Sequence, residues 1–226
     1  GQNLQLATFQ RNFIEGAFAD DVSIAALSVG RGNGKTALVA AFAVTHLLGM
    51  WDAQPQREIV IAARTRDQAR TCWAFCCSYL GEHPGIKIRR GAALEIEYMD
   101  ATGPHLLKAV ASTGKAVLGG SATLAVLDER AAWMDSRGDE MESALLTSLG
   151  KRSGRAVLIS TSAPDDNNSF SRWLDSPPSG CYTQEHRAEP DLPADDWPSL
   201  LQANPGSLEG IGATREWLEK DAQQAI

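Results

Sequence analysis

The stretch SVGRGNGKT, Ser28 to Thr36, decides the fold. An apolar run, Ile24 to Ser28, leads into it, and a segment rich in alanine, leucine and valine, Lys35 to Leu48, leads out. Strand, glycine-rich turn and helix in that order make a phosphate cradle, because backbone N–H groups of the turn and the positive end of the helix converge on one point. Lys35 is placed to reach the outer phosphates, and the Thr36 hydroxyl to bind Mg2+. The spacing is one residue off the usual G-x-x-x-x-G-K-S/T pattern: Val29 stands where the first glycine belongs, and the glycine comes at Gly30. A G-K-T triplet alone is common, and its position between a strand and a helix gives it weight.

Outward from this loop the chain alternates. EIVIAA, Glu58 to Ala63, reads as a second buried strand, and Thr65 to Leu80 as a helix. ALEIEYM alternates apolar and polar residues as a half-exposed strand does, HLLKAVA is its candidate antiparallel partner, and the glycine-rich loop STGKAVLGGS follows. ATLAVLDE and RAVLISTSAP are two further apolar strands, separated by a helical stretch near Gly138 to Leu149. Strands that alternate with helices pair in parallel through right-handed crossovers. The expected fold is therefore α/β, a mainly parallel sheet flanked by helices, with an antiparallel hairpin from Leu94 to Ala111 added to it or at its edge.

The composition shifts near Asp175. DSPPSG breaks the pattern, CYTQEHRAE is a candidate last strand, and PDLPADDWP is proline-rich and acidic. A helix from Thr214 to Ala225 is expected to carry Trp217 and Leu218 on one side. Residues 1–176 are read as the core and residues 177–226 as a linker and cap.

Two further motifs carry chemistry. Asp128 and Glu129 end the strand TLAVLDE, where an aspartate can hold a metal ion and the next carboxylate can orient and deprotonate an attacking water. Acids at the end of a strand are also a common surface feature, but here they join a chain that already has strand, G-K-T and helix. Together these features point to ATP or GTP hydrolysis. Ser160, Thr161 and Ser162 end another strand, at the sheet edge where ligands of open α/β folds bind, and can sense the γ phosphate; as Ser and Thr before Pro164 they are also ordinary turn formers.

Other classes recede. The net charge of −7 opposes a uniformly basic nucleic-acid binder, although local clusters remain at KIRR, Lys87 to Arg90, and KRSGR, Lys151 to Arg155, both read as solvated loop charges. Cys72, Cys76 and Cys77 share one expected helix with Cys181 far away, which fits neither a disulfide framework nor zinc spacing. No apolar run is long enough to span a bilayer and no signal segment opens the chain, so an intracellular protein is expected.

The ordered set FQRNF, SVGRGNGKT, IVIAARTRDQAR, LAVLDE and LISTSAP resembles the ATPase domain of the large terminase subunit of tailed bacteriophages, over most of residues 4 to 176. W...ANPG in the tail is similar to the segment that leads into the nuclease domain of those proteins. The resemblance implies a P-loop NTPase of the RecA-like, ASCE type that uses ATP and Mg2+ to drive double-stranded DNA into a procapsid. It also implies a portal protein and a small terminase subunit as partners, a homo-oligomeric ring, no membrane, and a location in the host bacterial cytoplasm and transiently at the procapsid portal. By resemblance, Gln10 recognises adenine, and Gly30, Arg31, Gly32, Asn33, Gly34, Lys35 and Thr36 form the variant phosphate loop. Arg31 lies beside the phosphates, Asp128 helps to hold Mg2+, Glu129 is the catalytic base, and Ser160 to Ser162 are the coupling motif.

No acidic nuclease constellation follows, so this chain is not expected to cut DNA. Arginines acting from a neighbouring subunit raise rates by roughly 10³ to 10⁵ in systems that use them. Besides Arg31, the candidates here are Arg130, Arg152 and Arg155. RTRDQARTCW is open to nucleotide, DNA or a neighbouring subunit. The alternatives are a helicase-like or restriction-type DNA-dependent ATPase, and a nucleotide-gated assembly module with little turnover.

Overall fold

A computed structural model describes residues 5–91, 94–112 and 120–224. Four apolar runs become parallel strands: β1 (Ile24–Ser28), β2 (Glu58–Ala63), β6 (Leu124–Asp128) and β7 (Arg155–Ser160). Their residues are buried almost throughout, because helices cover both faces. Between β2 and β6 come β3 (Ile86–Arg90), β4 (Leu94–Asp100) and β5 (Gly103–Ala111), and β8 (Cys181–Glu185) follows β7. The eight strands form one sheet in the order β3-β4-β5-β2-β6-β7-β1-β8.

Side-chain alternation splits the core in two. Leu27, Ile59, Ile61, Val126 and Ile159 face α1 (Thr8–Ala17), α2 (Lys35–Leu47) and α3 (Arg66–Leu80). Ala26, Val60, Leu127 and Leu158 face α4 (Ser136–Leu149) and α5 (Ser169–Asp175). Helix starts follow the local chemistry. Thr65 Oγ1 accepts from Gln68 N at 3.3 Å while Gln68 Oε1 accepts from Thr65 N at 3.1 Å, a reciprocal cap that fixes where α3 begins.

The antiparallel addition is larger than the expected hairpin. IKIRR alternates half-buried and exposed residues and pairs with β4 as an edge strand, so the KIRR charges lie on a strand rather than in a loop. The glycine-rich stretch before β6 lies mostly outside the described residues, at 113–119. β8 pairs in parallel with β1, so the sheet takes in residues beyond 176. The rest of the tail contributes α6 (Trp197–Ala203) and α7 (Arg215–Gln224). On α7 Leu218 is buried but Trp217 is half exposed, because adjacent helical residues point about 100° apart rather than to one side.

Candidate active site

Three strands deliver the chemistry to one edge, the middle one lying between the turn and the acids. β7 lies between β1 and β6, with Ser28 opposite Ser160 and Asp128 opposite Ile159. The turn after β1, the acids that end β6 and the hydroxyls that end β7 therefore share the carboxyl edge of the sheet, where open α/β folds bind ligands.

The turn needs its glycines. Gly32 and Gly34 have φ of +79° and +74°, a region where side chains are strained, and Gly34 caps the start of α2. Lys35 Nζ folds back across the turn, donating to Val29 O at 3.0 Å and Gly30 O at 3.2 Å, and lies 3.6 Å from Glu129 Oε1. Burial pushes the Lys35 ammonium pKa down, and Glu129 and Asp128 oppose that shift. Arg31 is exposed on the turn, close enough to Lys35 for their charges to repel.

The acids differ in environment. Asp128 is 3% exposed, lies beside the Thr36 hydroxyl, which favours its charged form, and leaves Oδ1 without a partner among the described residues. Burial, reinforced by Glu129 and opposed by Lys35, raises its pKa to about 7. An orphaned buried carboxylate oxygen beside a threonine hydroxyl is an unfinished hard-oxygen site. The donor set fits Mg2+, which takes few protein ligands and fills its shell with water and phosphate oxygens. Glu129 sits in the left-handed region, φ +52° and ψ +48°, and its Oε2 accepts from Ser160 Oγ at 3.3 Å and Thr161 N at 3.4 Å. Ser160 and Thr161 thus hold Glu129, while Ser162 is exposed.

Behind the turn stands the tail, which the sequence reading did not connect to it. Asn33 Nδ2 donates to Asn204 Oδ1 at 3.1 Å, and Asn33 Oδ1 accepts from Gly206 N at 3.2 Å. Gly30 N donates to Ala203 O at 3.1 Å, and a Cβ on Gly212 would lie 2.8 Å from Gly32 O. Asn33 therefore backs the turn from outside rather than facing a ligand. Gln10 also packs on it: Nε2 donates to Asn33 O at 3.3 Å, and Oε1 accepts from Ala7 N at 3.0 Å. ANPG was the available signal, but its partner lies 171 residues away.

Three arginines do not join the site. Arg130 is wholly buried and bonds Glu142, Asp139 and Trp133 O. Arg152 donates to Gln56 O and Pro55 O, and Arg155 to Ala17 O, Ala19 O and Val22 O, all at the opposite, amino edge of the sheet. The expectation that these three are candidates to reach a neighbour's phosphates meets side chains already engaged within their own subunit.

A glycine turn between strand and helix, a lysine across it, and paired acids on the next strand but one define an α/β P-loop nucleotide hydrolase. The family "Terminase large subunit, ATPase domain" matches residues 18–174, and the chain belongs to it. The chain is 28% identical to the terminase large subunit of Enterobacteria phage HK97, over all of this chain and 45% of that protein. The crystal structure of the HK97 large terminase superposes with a TM-score of 0.86 at 26% identity, covering all of this chain and 48% of that one. The ATPase domain of the Thermus phage P74-26 large terminase gives 0.63 at 17% identity, over 91% of this chain and 87% of that one. A large terminase from another thermophilic bacteriophage, solved with ATP-gamma-S, gives 0.60 at 11% identity, over 80% and 44%. The chain spans about half the length of the HK97 protein it matches.

Proposed function

We propose that this chain hydrolyses ATP to drive double-stranded viral DNA into a procapsid, as one subunit of a homo-oligomeric ring seated on a portal protein and supplied with DNA by a small terminase subunit. The observation that carries the reading is the meeting of Lys35, Thr36, Asp128 and Glu129 at one edge of the sheet. Family membership and the nucleotide-bound relative support it.

The N–H groups of the turn and of the first turn of α2 receive the phosphates. Lys35 adds a cation there, and its depressed pKa marks an ammonium that gains from an anion. Thr36 and Asp128 would hold Mg2+, which would offset the negative charge of the phosphate oxygens. Glu129, fixed through Oε2, orients water and takes its proton. Arg31 lies over the phosphates from the exposed side of the turn. Gln10 keeps one amide hydrogen for the adenine base. Ser160 and Thr161 carry the state of Glu129 into the loop that follows β7, the first step of coupling.

Replacing Glu129 by Gln tests the reading. ATP turnover should fall by about 10² to 10⁴-fold while ATP affinity holds, and protection of DNA from nuclease in a portal–procapsid assay should cease with it. Turnover at the wild-type rate in Glu129→Gln, or a wild-type protein that assembles but never turns over ATP, sinks it.

A further inference from the structure

Glu142 lies on α4, away from the nucleotide edge, and is 6% exposed. Its carboxylate gathers three donors from two segments, α5 and the turn after β6. Ser169 Oγ is 3.0 Å from both oxygens, Trp173 Nε1 donates to Oε1 at 2.6 Å, and Arg130 Nε donates to Oε2. Arg130 also donates to Trp133 O at 3.2 Å, which fixes both ends of the short 3-10 turn Arg130–Ala132. That turn begins at Glu129, whose positive φ persists only where the surroundings impose it. Ala131 N donates to Ser160 Oγ at 3.1 Å, and Asn168 Nδ2, at the cap of α5, donates to Ala131 O at 3.1 Å. One buried carboxylate thus ties the turn after the acids to the helix that ends the loop after Ser160 to Ser162.

We propose that Glu142 is a positioning residue for hydrolysis: through Arg130 it holds the turn that aims Glu129, and through Ser169 and Trp173 it holds α5 so that Ser160 and Thr161 meet Glu129 Oε2 in one geometry. The inference rests on Glu129 acting as the base. Stability alone does not account for the pair, since apolar residues of the same volume commonly serve as well as a buried ion pair, whereas losing one partner is costly. Glu142 touches no reacting atom, so its effect belongs in kcat and not in nucleotide affinity.

The test compares the wild-type chain, Glu142→Gln, the double variant Arg130→Met/Glu142→Leu, and Trp173→Phe. Each is measured for kcat and KM with ATP, affinity for a fluorescent ATP analogue, and melting temperature. Glu142→Gln leaves the buried Arg130 with the exposed Asp139 as its remaining anionic partner and should melt early, whereas the double variant removes the buried pair and should melt above Glu142→Gln. In both, kcat should fall by about 10 to 100-fold with KM and analogue affinity unchanged, as expected of a small misplacement of a reacting group. Trp173→Phe removes one donor without changing any charge and should lower kcat severalfold at unchanged melting temperature. A double variant that regains wild-type kcat along with its stability overturns the inference, as does a loss of affinity in step with kcat. If the double variant fails to fold, an unchanged kcat in Trp173→Phe overturns it. A wild-type chain without ATP turnover defeats the functional reading instead, so the two failures are told apart.

Discussion

Arg57 and Asp128 are both almost wholly buried, at opposite ends of the same sheet, and their surroundings answer their charges differently. Arg57, before β2 at the amino edge, donates to Leu47 O and Gln54 O and pairs with Asp100 at 2.7 Å. Asp100 in turn accepts from His105, and the bonds from His105 and Thr102 hold its carboxyl well below the usual carboxylate range. Asp128, at the carboxyl edge, keeps one oxygen unmatched and a pKa raised to about 7. Each guanidinium nitrogen of Arg57 has an acceptor, whereas Asp128 keeps one carboxylate oxygen without a partner among the described residues.

Four measurements sharpen or break that contrast. Arg57→Ala leaves Leu47 O and Gln54 O without their donor and empties a packed position beside Gly49, so thermal melts should show a loss of about 2 to 4 kcal/mol, with kcat per folded molecule unchanged. Asp128→Asn should do the reverse, lowering ATP turnover by about 10² to 10³-fold while the fold melts no lower, because a desolvated carboxylate has been neutralised. If Asp128→Asn unfolds the chain, the carboxyl edge is not the strained one.

His46 gives the third. It is fully buried between Thr123 and Trp51, with Nδ1 unmatched among the described residues, and burial lowers its pKa to about 4. A histidine kept neutral in the fold but protonated at about 6.5 when unfolded contributes stability above that pH and loses it as pH falls, about 3 kcal/mol by pH 4. Melting curves between pH 7 and pH 4 should show this slope in the wild type and a shallower one in His46→Gln. The smallest effect is expected of Arg152→Ala, about 1 kcal/mol of stability from two carbonyls left to solvent, with ATPase activity intact under conditions where the chain self-associates. A drop in assembled activity of the size of a missing arginine finger would return Arg152 to the catalytic list.

The contrast also explains what the sequence revealed. β1, the turn and α2 were legible because apolar burial, φ-positive glycines and a helix start each leave a mark within a few residues. β2, β6 and β7 were legible as unbroken apolar runs, and Asp128 and Glu129 as acids closing one of them. β3 was not, since KIRR shows its charges more plainly than its alternation. The arginines were not either: five donors on a guanidinium suit a phosphate and a ring of carbonyls equally, and only the fold decides which surrounds Arg130, Arg152 or Arg155. Glu142 lies in GDEMES beside other acids, and nothing in that run marks it as the buried one. Asn33 fits any phosphate loop, and its partner Asn204 is invisible without the tail in place.

That last contact has a practical consequence for anyone trimming this protein. Asn204, Gly206 and Gly212 supply the surface against which the turn's backbone rests, and Ile211 packs against the core beside them. A fragment ended at the last strand of the sheet, near Glu185, keeps every residue of the turn but removes its backing wall. That wall runs on past Gly212, since a Cβ on Gly32 would lie 3.6 Å from Ala213 N, so a trimmed piece that keeps the turn's shape has to include Ala213.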